Sequence, residues 1–367
     1  MRGAVYEIAA RRPQISAQIS RAPARGFSLI ELMVAMTFSL ILLGGVIAVF
    51  SSARTTYEAT DRLSRIQENG RFALDSMVRD LRATGVIGCS QLAQFRSTLN
   101  SADTLLWNFA RPVEGFDGQA SAWIPASGAD ATLLSSLTPI PDTDILVVRI
   151  ARTGADFARL AVRMTATNDP VTVDAASQST FNVGDIVLLN DCTERAVFQV
   201  TSMNGNQLQH ATGGSIIPGN ADADLRYAYA DTTFKGGGEA IPVQTVIYYL
   251  ARRSDAPVGS PPSLWRRVAG NAAEELVEGI ENMQLAFGQT TGNLVSYRKA
   301  DAITDWNAVV SVNIALLVRS QSEYGTDRDQ ATYDLISPTL GTRVPAPNDR
   351  HLRQVFATAV SLRNKTL

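Results

Sequence analysis

The first feature of the chain is a long apolar run near its N-terminus. From Leu32 to Ala53 there is no charged side chain, and Leu, Ile, Val, Met, Ala and Phe fill most positions. A helix of that length spans about 33 Å, which matches the hydrocarbon core of a bilayer. The pattern therefore predicts a single membrane-spanning helix, with residues 27–53 as its transmembrane half.

After this run the apolar positions follow a helical period. Apolar or small residues recur at steps of three and four, at Leu63, Ile66, Gly70, Leu74, Met77 and Leu81. Mostly polar and charged residues lie between them. This pattern predicts that the helix continues through residues 54–84 as an amphipathic half packed on a folded domain.

The remaining chain separates into two parts. Residues 85–143 are rich in Ser, Ala, Gly, Asp and Pro, which predicts a mostly irregular, variable connection. Short runs with β patterning then recur, at 144–150, 160–164, 185–190, 196–201, 246–251, 279–287, 309–318 and 355–362. Several alternate apolar and polar residues, as antiparallel strands with one covered face do. We therefore predict an α+β fold, in which the long N-terminal helix packs on a large antiparallel β-sheet domain at residues 144–367.

The distribution of charge predicts an orientation. The 367 residues have a formal net charge of -2, yet the first 26 carry five arginines and one glutamate. Positive charge before a membrane span favours a cytoplasmic N-terminus, so the large C-terminal part is expected in the periplasm. The rest of the chain is acidic and its arginines are scattered among acids, so a nucleic-acid partner is not expected.

Two cysteines occur, Cys89 and Cys192. Their separation fits no compact metal-binding pattern. In an exported domain they are candidates for a disulfide, which would close a loop of about 100 residues and stabilise the fold by on the order of 4 kcal/mol. Two buried free thiols are the alternative, and the sequence leaves the choice open.

Candidate catalytic groups are few. The two histidines, His210 and His351, lie in no nucleophile, zinc or phosphate-binding motif. Two acidic stretches, one with Asp222, Asp224 and Asp231 and the other with Asp327 and Asp329, lack the spacing of an EF-hand loop. No enzymatic activity, metal or cofactor is therefore predicted.

One acid interrupts the apolar region at its start. Glu31 stands just before the uncharged run. A carboxylate deep in hydrocarbon costs on the order of 3 kcal/mol, so this side chain is either functional or reaches water at the interface. The sequence around it, RGFSLIEL at 25–32, favours a function.

This octapeptide resembles the processing signature of type IV prepilins: a basic leader that ends in glycine, an aromatic first residue, and an acid at the fifth mature position. The resemblance implies that residues 1–26 are a leader peptide. It implies that an aspartic prepilin peptidase cuts between Gly26 and Phe27, and that the new amino group of Phe27 is methylated. It also implies that Glu31 meets the N-terminal amine of a neighbouring subunit during assembly.

Elementary helix geometry agrees with that role, because residues four apart lie on one face, so the Phe27 amine and the Glu31 carboxylate would occupy one depth. One departure from the major-pilin pattern is Ala48, where major pilins usually carry proline. A conventional signal peptide cut after Ala53 is the competing interpretation. The apolar run is longer than the roughly 7 to 15 residues typical of such signals.

Later stretches of the chain resemble the PilW group of minor pilins. They are VIGC (86–89), GDIVL (184–188), DC (191–192), AVFQVT (196–201), YYL (248–250), SLWRR (263–267), ELVEGIENMQ (275–284), ALLVR (315–319) and VSLRN (360–364). The resemblance implies a pilin-like fold and a structural minor pilin that helps to initiate type IV pilus assembly. Such a subunit would sit at or near the filament tip and support adhesion and twitching motility.

The resemblance also implies partners and a location. The expected partners are the prepilin peptidase, other minor pilins, the major pilin, the inner-membrane assembly platform, a tip adhesin and membrane lipid. The expected location is the inner membrane, in a single pass, and then the pilus at the cell surface. The alternatives are a J-type minor pseudopilin of type II secretion and, from a different class, a membrane-anchored periplasmic enzyme.

Overall fold

A computed structural model describes residues 26–85, 94–191, 194–213, 215–231, 237–257, 259–292, 294–337, 340 and 342–362. The chain divides into two compact units, residues 1–57 and 58–367. Helix α1 extends over Leu29–Ala83, 55 residues in all. Its residues up to position 57 belong to the first unit, and all of them are exposed.

The second unit contains the rest of α1, a short helix and many strands. The short helix, α2, is Gly128–Ser136. The strands of the first half are β1 Gln94–Ser97, β2 Val113–Gly118, β3 Trp123–Ile124, β4 Ile145–Ala151, β5 Ala158–Arg159, β6 Val171–Thr172, β7 Ile186–Asn190, β8 Glu194–Gln199, β9 Ser202–Asn204 and β10 Gln207–Gln209. Those of the second half are β11 Glu239–Ala251, β12 Ser263–Val268, β13 Ala273–Glu278, β14 Ile280–Thr291, β15 Leu294–Arg298, β16 Val309–Arg319, β17 Tyr333–Asp334, β18 Arg343–Val344 and β19 Arg353–Ser361.

The largest sheet has ten strands and is organised around β11. The main path runs β1-β8-β7-β11-β4-β2-β3, and β12, β13 and β5 attach beside it. Every pairing in it is antiparallel except that of β1 with β8. Strand β11 is 13 residues long, which allows it to pair with β4, β7, β5 and β12 along different parts of its length.

A second, four-stranded sheet has the order β15-β14-β16-β19 and is fully antiparallel. The main hydrophobic core lies between this sheet, the large sheet and the part of α1 within the second unit. Ile66, Met77 and Leu81 of α1 are buried there with Tyr248 of β11 and Phe287 of β14. The helical spacing of these three residues brings them to one face of α1. The predicted α+β fold, a long helix packed on a large β-domain, is thereby confirmed.

Segment 85–143 is more regular than the composition indicated. Its described part contains β1, β2, β3 and α2, and β2 lies within the large sheet. The expectation of a mostly irregular connection is therefore wrong for residues 113–118 and 128–136. Strand β2 has the sequence VEGFDG, and its first five residues are buried. Its glycines and acids are uncommon in strands, so the sequence did not indicate one.

Further differences between the strand predictions and the structure include the run at 160–164 and the strands β12 and β13. The run at 160–164 forms only an isolated bridge at Leu160, because the chain turns away after β5. Strands β12 and β13 were not predicted from β patterning. Together they form an antiparallel hairpin beside β11, with a shift in register between Leu264 and Trp265. Charged residues such as Arg266 and Glu274, which face each other across this hairpin, obscure its alternation.

Candidate processing and assembly site

The residues of the predicted processing signature lie at the beginning of α1. Gly26, Phe27 and Ser28 precede the helix and have no regular secondary structure. The backbone N–H of Glu31 donates to Ser28 Oγ at 3.2 Å, and the N–H of Leu32 donates to the Ser28 carbonyl oxygen at 3.1 Å. Ser28 is therefore the N-cap of α1, a position that serine favours because its hydroxyl replaces a missing intrahelical acceptor.

This cap has a signature that was visible in the sequence. Ser28 and Glu31 form the pattern Ser-x-x-Glu ahead of an apolar run, which is the pattern of a capping box. In the processing signature, Ser28 has no assigned role of its own. Its separate role in defining the first helical residue emerges from the hydrogen bond to Glu31.

The beginning of the helix also corrects one geometric expectation. Phe27 lies outside the helix, since α1 begins at Leu29. Phe27 and Glu31 therefore do not share a helical face in the unprocessed chain. Phe27 is 82% exposed and Glu31 is also exposed, so both the peptide bond before Phe27 and the Glu31 side chain are accessible.

The first unit presents an unusually apolar surface. Within α1 the segment from Leu32 to Ala53 is uncharged, and its most apolar stretch of 18 residues has a mean hydropathy of 2.5 with none of it buried. The helix is long and apolar enough to cross a membrane. An exposed apolar surface of this size is unfavourable in water. A helix with such a surface is expected to lie in lipid or to pack against other apolar helices.

Several predicted positions lie outside the residues that the structure describes. These are the leader up to Arg25 and both cysteines, Cys89 and Cys192. The disulfide between the cysteines therefore stays a prediction. Cleavage after Gly26, methylation of Phe27 and the assembly role of Glu31 likewise stay predictions.

The two histidines have structural surroundings. His210 is buried against Phe198, with ring centroids 5.0 Å apart, and its Nε2 lies 3.0 Å from the Asp169 carbonyl oxygen. Burial lowers the pKa of His210, which favours the neutral ring.

The Nδ1 atom of His351 lies 2.9 Å from the Ser320 carbonyl oxygen. Ser320 Oγ also lies 3.4 Å from this Nδ1 atom, but it donates to the Ser322 carbonyl oxygen at 2.8 Å and accepts from the Leu352 N–H at 3.1 Å. The hydroxyl group is therefore held by backbone groups.

The acidic stretches are held by arginines. Asp222 pairs with Arg96 at 2.5 Å, and Asp329 pairs with Arg353 at 3.1 Å. Among the described residues there is no group of three or more His, Cys, Asp or Glu side chains placed to hold a metal ion. Asp222 and Asp329 thus each have an arginine partner within the domain.

Comparison with known proteins gives two family matches. Residues 247–364 match the model described as type IV pilus-assembly protein W, PilW. Residues 21–47 match the prokaryotic N-terminal methylation motif, which contains Gly26, Phe27 and Glu31. No curated protein matches the chain. Among solved structures, the type IV-like pilin TTHA1219 from Thermus thermophilus is similar at 14% identity, over 34% of this chain and 70% of that one, with a TM-score of 0.22.

The two matched regions contain the octapeptide at 25–32 and the PilW-like stretches from 248 to 364, whereas the PilW-like stretches between 86 and 201 lie outside them. The methylation motif covers the non-helical residues, the capping serine and the beginning of the apolar helix. The PilW match begins within β11 and runs through β12–β19, which includes the whole four-stranded sheet. The resemblance identified from the sequence is therefore confirmed by the PilW match over residues 247–364 and by the N-terminal methylation motif over residues 21–47.

Proposed function

We propose that the chain is a structural minor pilin that helps to initiate type IV pilus assembly and stays at or near the filament tip. The observation that carries this proposal is the beginning of α1. An accessible Gly26–Phe27 bond is followed by an acid and by a fully exposed apolar helix within the methylation motif. In this role the chain supports adhesion and twitching motility.

The proposed sequence of events follows from the same residues. A prepilin peptidase removes residues 1–26, and the new N-terminus at Phe27 is methylated. The helix holds the protein in the inner membrane in a single pass, with the β-domain in the periplasm. During assembly, Glu31 pairs with the N-terminal amine of a neighbouring pilin, because each charge would otherwise be unpaired among apolar helices.

The proposed partners are those that these steps need. They are the prepilin peptidase, other minor pilins, the major pilin and the inner-membrane assembly platform, with a tip adhesin as a further candidate. The β-domain is large for a subunit that would repeat along a filament shaft, which supports a position near the tip. A J-type minor pseudopilin of type II secretion would share the processing site and helix.

Deletion and complementation separate these two functions. The proposal expects loss of surface pili and twitching in the deletion strain, while protein secretion is unchanged. Reintroduction of the full chain should restore both the surface pili and twitching. Impaired secretion with normal pili would instead identify a pseudopilin and overturn the proposal.

Intact mass of the protein extracted from membranes tests the processing step. The expected mass is that of a chain beginning at methylated Phe27. A chain beginning at Arg54 would show that an ordinary signal peptidase cuts after Ala53, and the processing step would be wrong.

The role of Glu31 is tested by Glu31→Val. This variant should be cut and should insert into the membrane, but it should fail to enter filaments. The matched control is Glu68→Val, which removes an exposed carboxylate from the same helix and should be incorporated normally. Normal incorporation of Glu31→Val would show that the carboxylate is not needed for assembly.

A further inference from the structure

The hydrogen bond between Ser28 and Glu31 sets the distance between the helix and the proposed cleavage site. In an α-helix each N–H donates to the carbonyl oxygen four residues earlier. The Glu31 N–H would therefore bond to the carbonyl of Phe27 if the helix extended further. It donates to Ser28 Oγ instead, at 3.2 Å, so that Phe27 and Gly26 stay outside the helix.

This arrangement matters for cleavage because of the carbonyl group of Gly26. If the helix continued by two residues, the Gly26 oxygen would accept from the Ile30 N–H and be enclosed in the first turn. A protease has to reach the carbonyl carbon of the bond that it cuts, and exposed non-helical chain offers that access. The first backbone acceptor within α1 is the Ser28 carbonyl, two residues after the Gly26–Phe27 bond.

We propose that Ser28 is a positioning residue for the processing of this chain. Its hydroxyl group accepts a hydrogen bond from the Glu31 N–H. This bond keeps the Gly26–Phe27 peptide bond in an accessible, non-helical part of the chain. The inference rests on the proposed cleavage at that bond. In the cleavage, water adds across the peptide bond: its oxygen joins the Gly26 carbonyl carbon, the bond from that carbon to the Phe27 nitrogen breaks, and the nitrogen leaves as a protonated amine.

The same hydrogen bond has a second consequence for Glu31. Because Ser28 defines where the helix begins, Glu31 is held in the first turn, at a fixed distance along the helix from the new N-terminus at Phe27. Alanine at position 28 would favour the helical state without supplying an acceptor, so the boundary would no longer be defined. The loss of one serine hydroxyl is therefore expected to change cleavage without any change in the peptidase contacts of Gly26 and Phe27.

The test compares four forms of the full-length chain in membranes or micelles: wild type, Ser28→Ala, Ser28→Asn and Ser39→Ala. Asparagine keeps a capping acceptor, and Ser39→Ala is a matched control because Ser39 is an exposed serine inside the same helix. One measurement is the rate of cleavage by prepilin peptidase, followed by intact mass. The other is hydrogen exchange of the Ile30 amide, which would donate to the Gly26 carbonyl only in an extended helix.

We expect Ser28→Ala to be cut roughly fivefold more slowly, which corresponds to the typical cost of losing an N-cap. Its Ile30 amide should exchange more slowly, because the extended helix gives that N–H the Gly26 carbonyl as an acceptor. Ser28→Asn should restore both properties, while Ser39→Ala changes neither. A Ser28→Ala chain that is cut as fast as the wild type would overturn the inference and leave the proposed function intact. Slow cleavage that asparagine does not rescue would also overturn it. A wild-type chain that is not cut at this bond would overturn both.

Discussion

The phenol of Tyr248 donates a hydrogen bond of 2.7 Å to the Asp80 carboxylate, which joins α1 to the central strand β11 of the large sheet. Asp80 Oδ2 also lies 3.2 Å from Arg266 Nε on β12. Burial, and then the neighbouring Asp80 charge, raise the pKa of Tyr248, so the phenol remains a donor at neutral pH. This buried pair holds the part of α1 within the second unit against the β-domain.

Tyr248→Phe should therefore destabilise the second unit. The substitution removes the donor and leaves a largely buried carboxylate with one partner fewer. The expected loss in the free energy of unfolding is about 2 kcal/mol, as for a hydrogen bond to a charged group. Urea unfolding of the full-length chain in micelles, followed by circular dichroism, measures it.

Tyr229→Phe is the matched control for this prediction. Tyr229 is fully buried, but its hydroxyl oxygen has no hydrogen-bond partner in the described part of the chain. Removal of an unsatisfied hydroxyl group is nearly neutral or stabilising. An equal loss of stability in the two variants would show that the Tyr248–Asp80 bond contributes nothing specific.

Gly70 of α1 lies against the ring of Phe356 on β19. A Cβ atom at position 70 would approach the Phe356 ring carbons to 2.6 Å. In an isolated helix Gly→Ala stabilises by about 1 kcal/mol, but here steric overlap opposes that gain. We expect Gly70→Ala to lower the unfolding free energy by about 1 to 3 kcal/mol, and Phe356→Leu in the same chain to recover part of the loss.

Gly45→Ala is the control on the same helix. A Cβ atom at Gly45 would have no neighbour within 4 Å, so only the gain in helix propensity applies. This variant should be neutral or slightly more stable in thermal unfolding of the full-length chain. Equal destabilisation by Gly45→Ala and Gly70→Ala would exclude the contact with Phe356 as the cause.

The contacts at Asp80 and Gly70 also show how far the sequence could predict the fold. The helical period of Ile66, Met77 and Leu81 indicates which face of α1 is buried, because that period is a local property. The partners of this face, Tyr248 and Phe356, are more than 160 residues away along the chain. Their proximity depends on sheet order, which local patterns do not encode.

Strand β2 shows a different limit of prediction. Its sequence is polar and rich in glycine, yet Glu114 is buried because Arg149 of β4 pairs with it at 2.6 Å. Glycine is needed at position 115 because a Cβ atom there would lie 2.2 Å from the Phe287 ring. The pattern indicates a loop because both compensating residues come from other strands. The site at the beginning of α1 was predictable, since all of its residues are consecutive.

Arg353 is enclosed by three carboxylates and holds the connection between β16 and β19. It contacts Glu281 at 2.6 Å, Asp349 at 2.7 Å and Asp329 at 3.1 Å, and its side chain is fully buried. The hydrogen bond from Arg353 lowers the pKa of Asp349. Arg353→Met should lower the unfolding free energy by about 3 kcal/mol or more, because three acids lose their common partner.

Arg343→Met provides the comparison for this network. Arg343 pairs with Asp334 at 2.6 Å, but both side chains are largely exposed. Exposed ion pairs contribute little because water and salt screen them. In urea unfolding, Arg343→Met should be close to wild type. Similar losses for the two variants would contradict the assignment of a special role to Arg353.

Asp144 connects the two main sheets, and its titration is expected to make the free energy of unfolding depend on pH. Its carboxylate accepts the N–H of Gly118 at 2.9 Å and that of Leu285, on β14, at 2.7 Å. Burial, assisted by the nearby charge of Asp117, raises the pKa of Asp144 from 3.8 to about 7, although the hydrogen bonds from Gly118 and Leu285 and the charge of Lys299 act in the opposite direction. The folded state therefore binds a proton more tightly than the unfolded state does.

The sign of the effect follows from linkage. The stabilisation from protonated Asp144 is complete below its unfolded pKa of 3.8 and is lost as the pH rises through about 7. Asn at position 144 cannot titrate, so the free energy of unfolding of the wild type should fall relative to that of Asp144→Asn between about pH 4 and pH 8. Asp169→Asn should give a profile parallel to that of the wild type in this window, because hydrogen bonds from Thr165 and Ala166 lower the pKa of Asp169 from 3.8 and its contribution is lost only at lower pH. Parallel pH profiles for wild type and Asp144→Asn, measured by urea unfolding at each pH, would show that Asp144 stays ionised in the fold.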